Sequence, residues 1–182
     1  MKILYIDIET TPNRADVWDL WQQNISLSQL RESSRMMCFS AKWDGSDKTL
    51  FYSEWKEGKG LMLDLAWELM TEADVVVHYN GTRFDVPILY KEFVLQDLDP
   101  PAPFQEIDLL QVVKKRFRFP SNKLQYVATA LLGEGKVQHE GHDLWVRTMA
   151  GEKRARKDME KYNKRDVILL EELYYRLLSW IP

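Results

Sequence analysis

Two carboxylates stand close together in an apolar stretch at the start of the chain. Asp7 and Glu9 lie within KILYIDIETT, residues 2–11, a run rich in β-branched and aromatic residues that predicts a strand. Residues i and i+2 of a strand point to the same face, roughly 6.5–7 Å apart. Two ionised carboxylates desolvated side by side repel each other unless a cation lies between them. The pair therefore favours a hard divalent metal such as Mg²⁺ or Mn²⁺; the alternative is a strand end whose acids face water.

Two further acids are associated with elements predicted later in the chain. Asp85 ends the stretch NGTRFD, directly behind a buried strand predicted at 74–79. Asp166 lies on the predicted last helix, four residues after Tyr162, so the two side chains are neighbours on one helix face. Each acid also has an ordinary structural explanation, because a first-turn Asp complements the helix dipole and an exposed helix acid pairs with Lys or Arg.

The elements that must position these residues predict an α/β fold. The first three strands are predicted to form an antiparallel meander and the later two to follow βα crossovers as parallel strands, which gives a mixed five-stranded sheet flanked by helices. Ligands of open α/β sheets bind at the carboxyl ends of the strands, where Asp7 and Glu9 stand. The predicted strands are 2–11, 36–43, 48–55, 74–79 and 104–108, and the predicted helices are 57–73, 84–95, 109–117, 121–133 and 157–180.

Local signals mark several boundaries of these elements. Segment 14–35 mixes short helical signals with polar residues, and 134–151 has the composition of a connector. Ser121 is a predicted N-cap, with Gly133 as the end of the same helix. Asp108 is expected to be the N-cap of the helix at 109–117 and not a metal ligand.

The composition restricts the class of protein. The length of 182 residues and the 45% hydrophobic content predict a single domain over residues 1–182. A net charge of −3 is not that of a protein that coats nucleic acid, but suits an enzyme that clusters acids around metals. The lone Cys38, the lack of a signal-peptide pattern and the lack of a long apolar run predict a soluble cytoplasmic protein without a membrane partner.

Taken together, the three acidic stretches resemble the exonuclease motifs of the DEDD superfamily. The resemblance implies a ribonuclease-H-like fold for the predicted sheet. D-x-E on the first strand, N-G-x-x-F-D after a central strand and Y-x-x-x-D on the last helix occur in the expected order between Asp7 and Asp166. Tyr162, four residues before the final Asp, is similar to the tyrosine that marks the DEDDy type of this DnaQ-like superfamily. The strings look most like the proofreading domains of family B DNA polymerases and like small stand-alone exonucleases of phages and bacteria.

The resemblance implies a site for two divalent cations, Mg²⁺ or Mn²⁺. Asp7 would bridge both ions, and Glu9 and Asp166 would complete the ion that holds the nucleophilic water. Asp85 would serve the second ion, directly or through water. Tyr162 would orient the attacking water together with Glu9, because a phenol of ordinary pKa, about 10, is not a strong base at neutral pH.

The residues beside these acids are candidates for contact with the substrate. Thr10, Thr11 and Asn80 flank the acids, and the hypothesis is that they line the pocket for the terminal nucleotide. Phe84 stands in the same resembling stretch as Asn80 and is assigned to the same group. Turn and capping roles explain the threonines and the asparagine equally well.

The resemblance therefore predicts a metal-dependent 3′–5′ exonuclease that releases nucleoside 5′-monophosphates from the 3′ end of DNA, preferentially single-stranded. Replication or recombination proteins in a bacterial or phage-infected cell are the expected partners in trans. One alternative is a 3′–5′ exoribonuclease, because nothing in the sequence decides how a 2′-hydroxyl is treated. Another is a non-catalytic module that binds nucleic acid or protein, although all four acids and the tyrosine are present. A ribonuclease-H-like endonuclease is a further alternative, expected to lack the tyrosine partner.

Overall fold

A five-stranded mixed sheet forms the centre of the structure, a computed structural model that describes residues 1–21, 24–133, 135 and 138–182. The strands are β1 (Ile3–Thr10), β2 (Arg14–Ala15), β3 (Leu30–Glu32), β4 (Met36–Trp43), β5 (Thr49–Ser53), β6 (Val75–His78) and β7 (Gln105–Asp108). The sheet has the order β5-β4-β1-β6-β7, in which β4 is antiparallel to β1 and β5, while β6 is parallel to β1 and β7. The predicted ribonuclease-H-like fold class is confirmed.

Six helices accompany the sheet in the described residues. Among these helices, none combines the length and the continuous apolar composition that a bilayer crossing requires. Five of them match predicted helices, whereas α5 lies within the segment that was predicted as a connector. The helices are α1 (Lys59–Glu72), α2 (Asp85–Leu95), α3 (Leu109–Arg116), α4 (Leu124–Leu132), α5 (His142–Met149) and α6 (Lys153–Leu177).

Two local predictions differ from the structure. The N-cap of α4 is Lys123, and the hydroxyl of Ser121 instead accepts a hydrogen bond from the Lys123 N–H at 3.3 Å, so the helix begins later than predicted. Gly133 ends α4 in the left-handed region at φ 74°, as predicted. In the described part of segment 14–35, a single 3₁₀ turn at Leu27–Gln29 accompanies the small β2–β3 sheet, so the helical interpretation was wrong.

The side chains of β1 alternate between two layers of core. The even-numbered residues within 4–8 pack against α1 and α2, whereas Ile3 and Tyr5 pack in the layer that contains α3, α4 and α6. Because alternate residues of a strand share a face, Asp7 and Glu9 continue the Ile3 and Tyr5 face towards the carboxyl end of the strand. The fold thus places this acidic pair beneath α6.

Candidate metal centre

Three carboxylates from two elements meet at the carboxyl end of β1. Asp7 and Glu9 from the strand and Asp166 from α6 each offer a carboxylate oxygen, and these oxygens all lie within 4.8 Å of one another. Asp166 is 1% exposed, while Asp7 and Glu9 are partly buried. Negative charges this close in a partly desolvated position repel one another, and a divalent cation relieves that repulsion. The donors are all carboxylate oxygens, which hard cations such as Mg²⁺ and Mn²⁺ prefer.

A polar stretch within the buried stripe of α6 supplies one side of this centre. The stripe follows the i, i+3, i+4 spacing that anchors a helix to a sheet. A helix that packs through apolar side chains has no packing reason to bury a carboxylate and an amide in this stripe. The buried residues in order are Ala155, Met159, Tyr162, Asn163, Asp166, Val167, Leu169, Leu170, Leu173, Tyr174 and Leu177.

Asn163 is a site residue that the sequence reasoning missed. Its side chain is fully buried, and Nδ2 donates to Asp7 Oδ2 at 2.7 Å and to the backbone oxygen of Asp7 at 3.3 Å. The orientation of the amide follows from these contacts, because both neighbours are acceptors and Nδ2 is the only donor of the side chain. Asn163 therefore holds the Asp7 carboxylate in place. Its spacing from Asp166, three residues along the helix, was the available signal.

We expect Asn163→Ala to weaken the response to the metal more than it weakens the fold. Losing a partner that orients a ligand costs about 10–100-fold in metal affinity or activity. The measurement is the Mg²⁺ concentration required for half-maximal hydrolysis of DNA, together with a thermal melt. Asn13→Ala is the matched control, since Asn13 accepts a bond from the Ser34 N–H outside the centre. An unchanged Mg²⁺ dependence in a folded Asn163→Ala protein would contradict the positioning role.

Asp85 lies next to the centre and is bonded to the backbone between its two strand acids. It is the first residue of α2, is 4% exposed, and its Oδ1 accepts the N–H of Ile8 at 3.1 Å. The parallel register between β1 and β6 covers only 3–5, so at Ile8 the carboxylate takes the place of a strand partner. Asp85 is not among the three carboxylates whose oxygens lie within 4.8 Å, and its metal role stays a prediction.

A buried histidine holds the turn that leads to Asp85. Nδ1 of His78 accepts the N–H of Gly81 at 3.0 Å, which leaves the proton of the neutral ring on Nε2, 3.0 Å from a carboxylate oxygen of Glu106. A side chain at position 81 would overlap the His78 ring, so glycine is required there for close approach. The imidazole thus fixes the path of the chain from β6 into α2.

Asp108 holds the same turn from the neighbouring strand. Its Oδ1 accepts the N–H of Asn80 and the N–H of Leu110, each at 2.9 Å. The second bond makes Asp108 the N-cap of α3, as predicted. The first bond fixes Asn80, whose φ of 70° lies in the left-handed region that asparagine tolerates better than most residues. Asp108 is therefore a structural acid beside the site.

We expect the free energy of unfolding to fall as the pH drops below about 6.5, the ordinary pKa of histidine. Burial lowers the pKa of His78, while the nearby charges of Asp108 and Glu106 oppose that shift. The unfolded chain therefore binds more protons than the folded chain just below this pH, which favours unfolding. Urea denaturation at about pH 7.5 and about pH 5.5 measures the difference. His78→Gln should reduce this pH dependence and the exposed-site control His142→Gln should not; equal slopes in both would refute the assignment.

Cys38 lies opposite Glu9 on β4 and is excluded as a ligand. Burial raises the pKa of its thiol, and the negative charges of Glu9 and Asp7 raise it further. Both effects favour the neutral thiol, and its sulfur is not among the ligand atoms that meet within 4.8 Å at the centre. The donor set remains one of oxygens.

Tyr162 lies one helical turn before Asp166, within a cluster of three rings. It is 6% exposed, and its ring packs edge-on against His139, with centroids 4.7 Å apart, and against Trp145, with centroids 5.8 Å apart. His139 and Trp145 also contact each other, with centroids 5.2 Å apart. The cluster restricts the orientation of the phenol. The sequence signalled none of this, because α5, which carries Trp145, was not predicted.

Two of the predicted substrate contacts open onto grooves beside the tyrosine. Asn80 and Tyr162 line one groove of about 570 Å³. Thr10 lines a second groove of about 350 Å³, together with Trp145. His139 borders both grooves, which places these two predicted contacts on either side of the aromatic cluster.

The other two predicted substrate contacts differ in their exposure. Thr11 is 1% exposed, and its hydroxyl accepts the N–H of Arg35 at 3.1 Å, so the side chain supports the pairing of the chain beyond β1. Phe84 is 44% exposed at the N-cap of α2, directly before Asp85. The ring of Phe84 is available to a ligand, whereas the Thr11 side chain already has a structural contact; both assignments stay predictions.

Comparison with known proteins agrees with this geometry. The sequence model of the RNase H superfamily matches residues 4–178. The fold is similar to that of the family B DNA polymerase from the hyperthermophilic archaeon Pyrobaculum calidifontis, with a TM-score of 0.71 and 15% sequence identity. This match covers 97% of the present chain and 24% of the polymerase chain, so the present chain spans about a quarter of the polymerase. No curated protein sequence matches the chain.

Proposed function

The chain belongs to the RNase H superfamily, and we propose that it acts as a metal-dependent 3′–5′ exonuclease on the 3′ end of DNA. The proposal rests above all on the convergence of Asp7, Glu9 and Asp166, with Tyr162 one turn away on the same helix. Membership of the superfamily and the fold shared with a DNA polymerase support a nuclease. The resemblance to DEDDy motifs supports the direction of hydrolysis. The products are nucleoside 5′-monophosphates.

The chemistry of the donor set fits two divalent cations, Mg²⁺ or Mn²⁺, with Asp7, Glu9, Asp85 and Asp166 as the residues that hold them. Bound cations would lower the pKa of a coordinated water and balance the charge that develops on the phosphate and the leaving oxygen. The buried and partly buried positions of these acids exclude bulk water, which strengthens every charge interaction within the site.

The side chains of the protein fix the position of the reacting groups. Asn163 restrains the Asp7 carboxylate by the bond of 2.7 Å described above. Glu9 and the Tyr162 hydroxyl orient the attacking water, and the aromatic cluster holds the phenol for that purpose. Asn80 and Thr10 contact the terminal nucleotide from the two grooves.

Phe84 completes the proposed contacts with the terminal nucleotide, and the buried Thr11 completes the pocket by supporting Thr10. The exposed ring of Phe84 stacks on a base, a contact that does not depend on the base sequence. The Thr11 hydroxyl accepts the Arg35 N–H and so holds the chain directly after Thr10, the last residue of β1. Replication or recombination proteins supply the DNA end in trans.

The decisive experiment is digestion of 5′-labelled single-stranded DNA and RNA of one sequence with Mg²⁺, Mn²⁺ or EDTA. We expect a metal-dependent ladder that shortens from the 3′ end, and we expect DNA to be the faster substrate. The same DNA labelled at its 3′ end should release labelled mononucleotide at once. Faster digestion of RNA would identify an exoribonuclease instead. Internal cuts would favour an endonuclease, and a folded, metal-loaded protein that cleaves neither substrate would favour a binding module.

A further inference from the structure

A groove of about 570 Å³ leads away from Tyr162 along the space between α3 and the start of α4. Its lining includes the rings of Tyr162 and His139, and Tyr162 lies one helical turn before Asp166 of the candidate metal centre. The groove is lined by Tyr79, Asn80, Leu110, Lys114, Asn122, Lys123, Leu124, Gln125, His139 and Tyr162.

The charge of this groove differs from that of the whole chain. Although the net charge is −3, the described residues that line the groove include two lysines and no acid. Lys114 and Lys123 are exposed, and neither has a carboxylate within ion-pair distance in the described part of the chain. Lys164 of α6 differs in this respect, since it pairs with Glu160 at 2.8 Å. No described carboxylate therefore neutralises the two groove lysines, and their side chains can pair with an anionic ligand.

The groove on another side of Tyr162 is less suited to an anion. It has about 430 Å³ and contains Lys161, but Asp158 and Glu140 line it as well. Carboxylates repel phosphate, whereas the charged side chains among the described residues of the lysine-lined groove are cationic. The groove between α3 and α4 is therefore the more favourable path for an anionic chain that reaches the metal centre.

The walls of the lysine-lined groove are held together by the fold. The Tyr79 hydroxyl donates to the backbone oxygen of Asn122 at 2.7 Å, which ties the segment before α4 to the end of β6. Asn80 is fixed in turn by Asp108, as described above. A preformed groove does not have to be ordered when a ligand binds, which favours affinity.

We propose that this groove binds the sugar-phosphate backbone of an unpaired nucleic-acid strand, with Lys114 and Lys123 contacting phosphates upstream of the bond that is cut. The inference deepens the proposed function and rests on it for the polarity of the strand. A volume of about 570 Å³ lies within the range of about 300–1,000 Å³ that encloses a small molecule. This volume suits a short length of one strand, and we expect the groove to favour single-stranded ends over a duplex.

The test compares two doubly substituted proteins with the same change in charge. Lys114→Ala/Lys123→Ala removes both groove lysines. Lys48→Ala/Lys115→Ala is the control, since Lys115 follows Lys114 on α3 but lines a different groove, and Lys48 lies before β5. Binding of a short 5′-labelled oligothymidylate is measured by fluorescence anisotropy in EDTA over a series of salt concentrations, so that no hydrolysis is needed.

We expect the groove variant to bind about 10-fold or more weakly at low salt, while the control binds like the natural protein. Each lost phosphate contact on a single strand should reduce the slope of log K against log salt by about 0.7, so the groove variant should lose about 1.4. In hydrolysis, the groove variant should have a higher KM and an unchanged kcat. A blunt duplex should compete poorly with the single strand for the natural protein.

Several outcomes would overturn the inference. Equal losses in both double variants would show a general charge effect, and an unchanged salt slope in the groove variant would show that the strand lies elsewhere. A loss produced instead by Lys161→Ala would place the strand in the groove with Asp158 and Glu140. Failure of the proposed function is a separate result: groove-dependent binding without hydrolysis in Mg²⁺ or Mn²⁺ would refute the exonuclease and leave the groove in place.

Discussion

We expect Asp7→Ala to slow metal-dependent hydrolysis by about 10³-fold or more, a loss of about 4 kcal/mol of transition-state stabilisation. The Asp7 carboxylate accepts the hydrogen bond of the Asn163 amide. It also lies within 4.8 Å of the carboxylates of Glu9 and Asp166. Removing it would leave Glu9 and Asp166 without the third carboxylate of the group, so the centre would no longer hold a cation in the position that hydrolysis needs. Initial rates at saturating Mg²⁺ and at saturating Mn²⁺ measure the effect, because a mere loss of affinity would be recovered at high metal concentration.

The same substitution should leave the protein folded. Asn163 loses one hydrogen bond, which costs about 1 kcal/mol, but keeps the backbone oxygen of residue 7 as an acceptor. Relief of the repulsion among the three carboxylates acts in the opposite direction. We therefore expect the free energy of unfolding to change by no more than about 1 kcal/mol. Asp47→Ala, in the exposed turn before β5, is the control for activity; an unfolded Asp7→Ala protein would argue that Asp7 is structural.

The strand acids were predictable because alternation along β1 is a local property. Once 2–11 is recognised as a strand, Asp7 and Glu9 must share a face, and an acidic pair on the core side requires a cation or water. The antiparallel pairing of β1, β4 and β5 was equally accessible, since the turn between β4 and β5 has a local signature. The helical period also placed Tyr162 and Asp166 together.

The contacts that cross between elements were not predictable from spacing. The bond from Asn163 to Asp7 joins residues 156 positions apart, and the spacing of Asn163 from Asp166 along the helix does not show which residue the amide contacts. The bond from Ile8 to Asp85 likewise depends on where the pairing of β1 with β6 ends. The ring contacts of His139 with Tyr162 depend on α5, whose short amphipathic turns resemble a loop in composition.

Segment 14–35 shows how an apolar spacing can mislead. Trp18 and Trp21 stand three residues apart and would share a face of a helix, yet they are 98% and 80% exposed and lie outside any helix. Helical stability in proteins comes mainly from packing an apolar face, and most of these apolar side chains are left uncovered. The periodicity alone could not show that no neighbouring element covers them.

Removal of the Tyr162 hydroxyl tests whether this residue has a catalytic role or only a structural one. We expect Tyr162→Phe to slow hydrolysis by about 10–10³-fold, the effect of one positioned hydrogen bond in a transition state. The ring itself packs against His139 and Trp145, and phenylalanine preserves that packing, so the substitution should leave the thermal melt nearly unchanged. The loss should appear in kcat, because an interaction made only in the transition state does not alter the binding of the substrate.

Tyr175→Phe on the same helix is the matched control. Its hydroxyl donates to Asp44 at 2.7 Å, outside the metal centre, so its removal should reduce stability slightly and leave kcat unchanged. Single-turnover hydrolysis of a 5′-labelled strand by both variants measures the chemical step directly, without product release. If Tyr162→Phe hydrolysed DNA as fast as Tyr175→Phe, the phenol would be part of the aromatic cluster only, and Glu9 would have to orient the water without it. A loss confined to Tyr162→Phe would place the attacking water between α6 and the end of β1, where the three carboxylates meet.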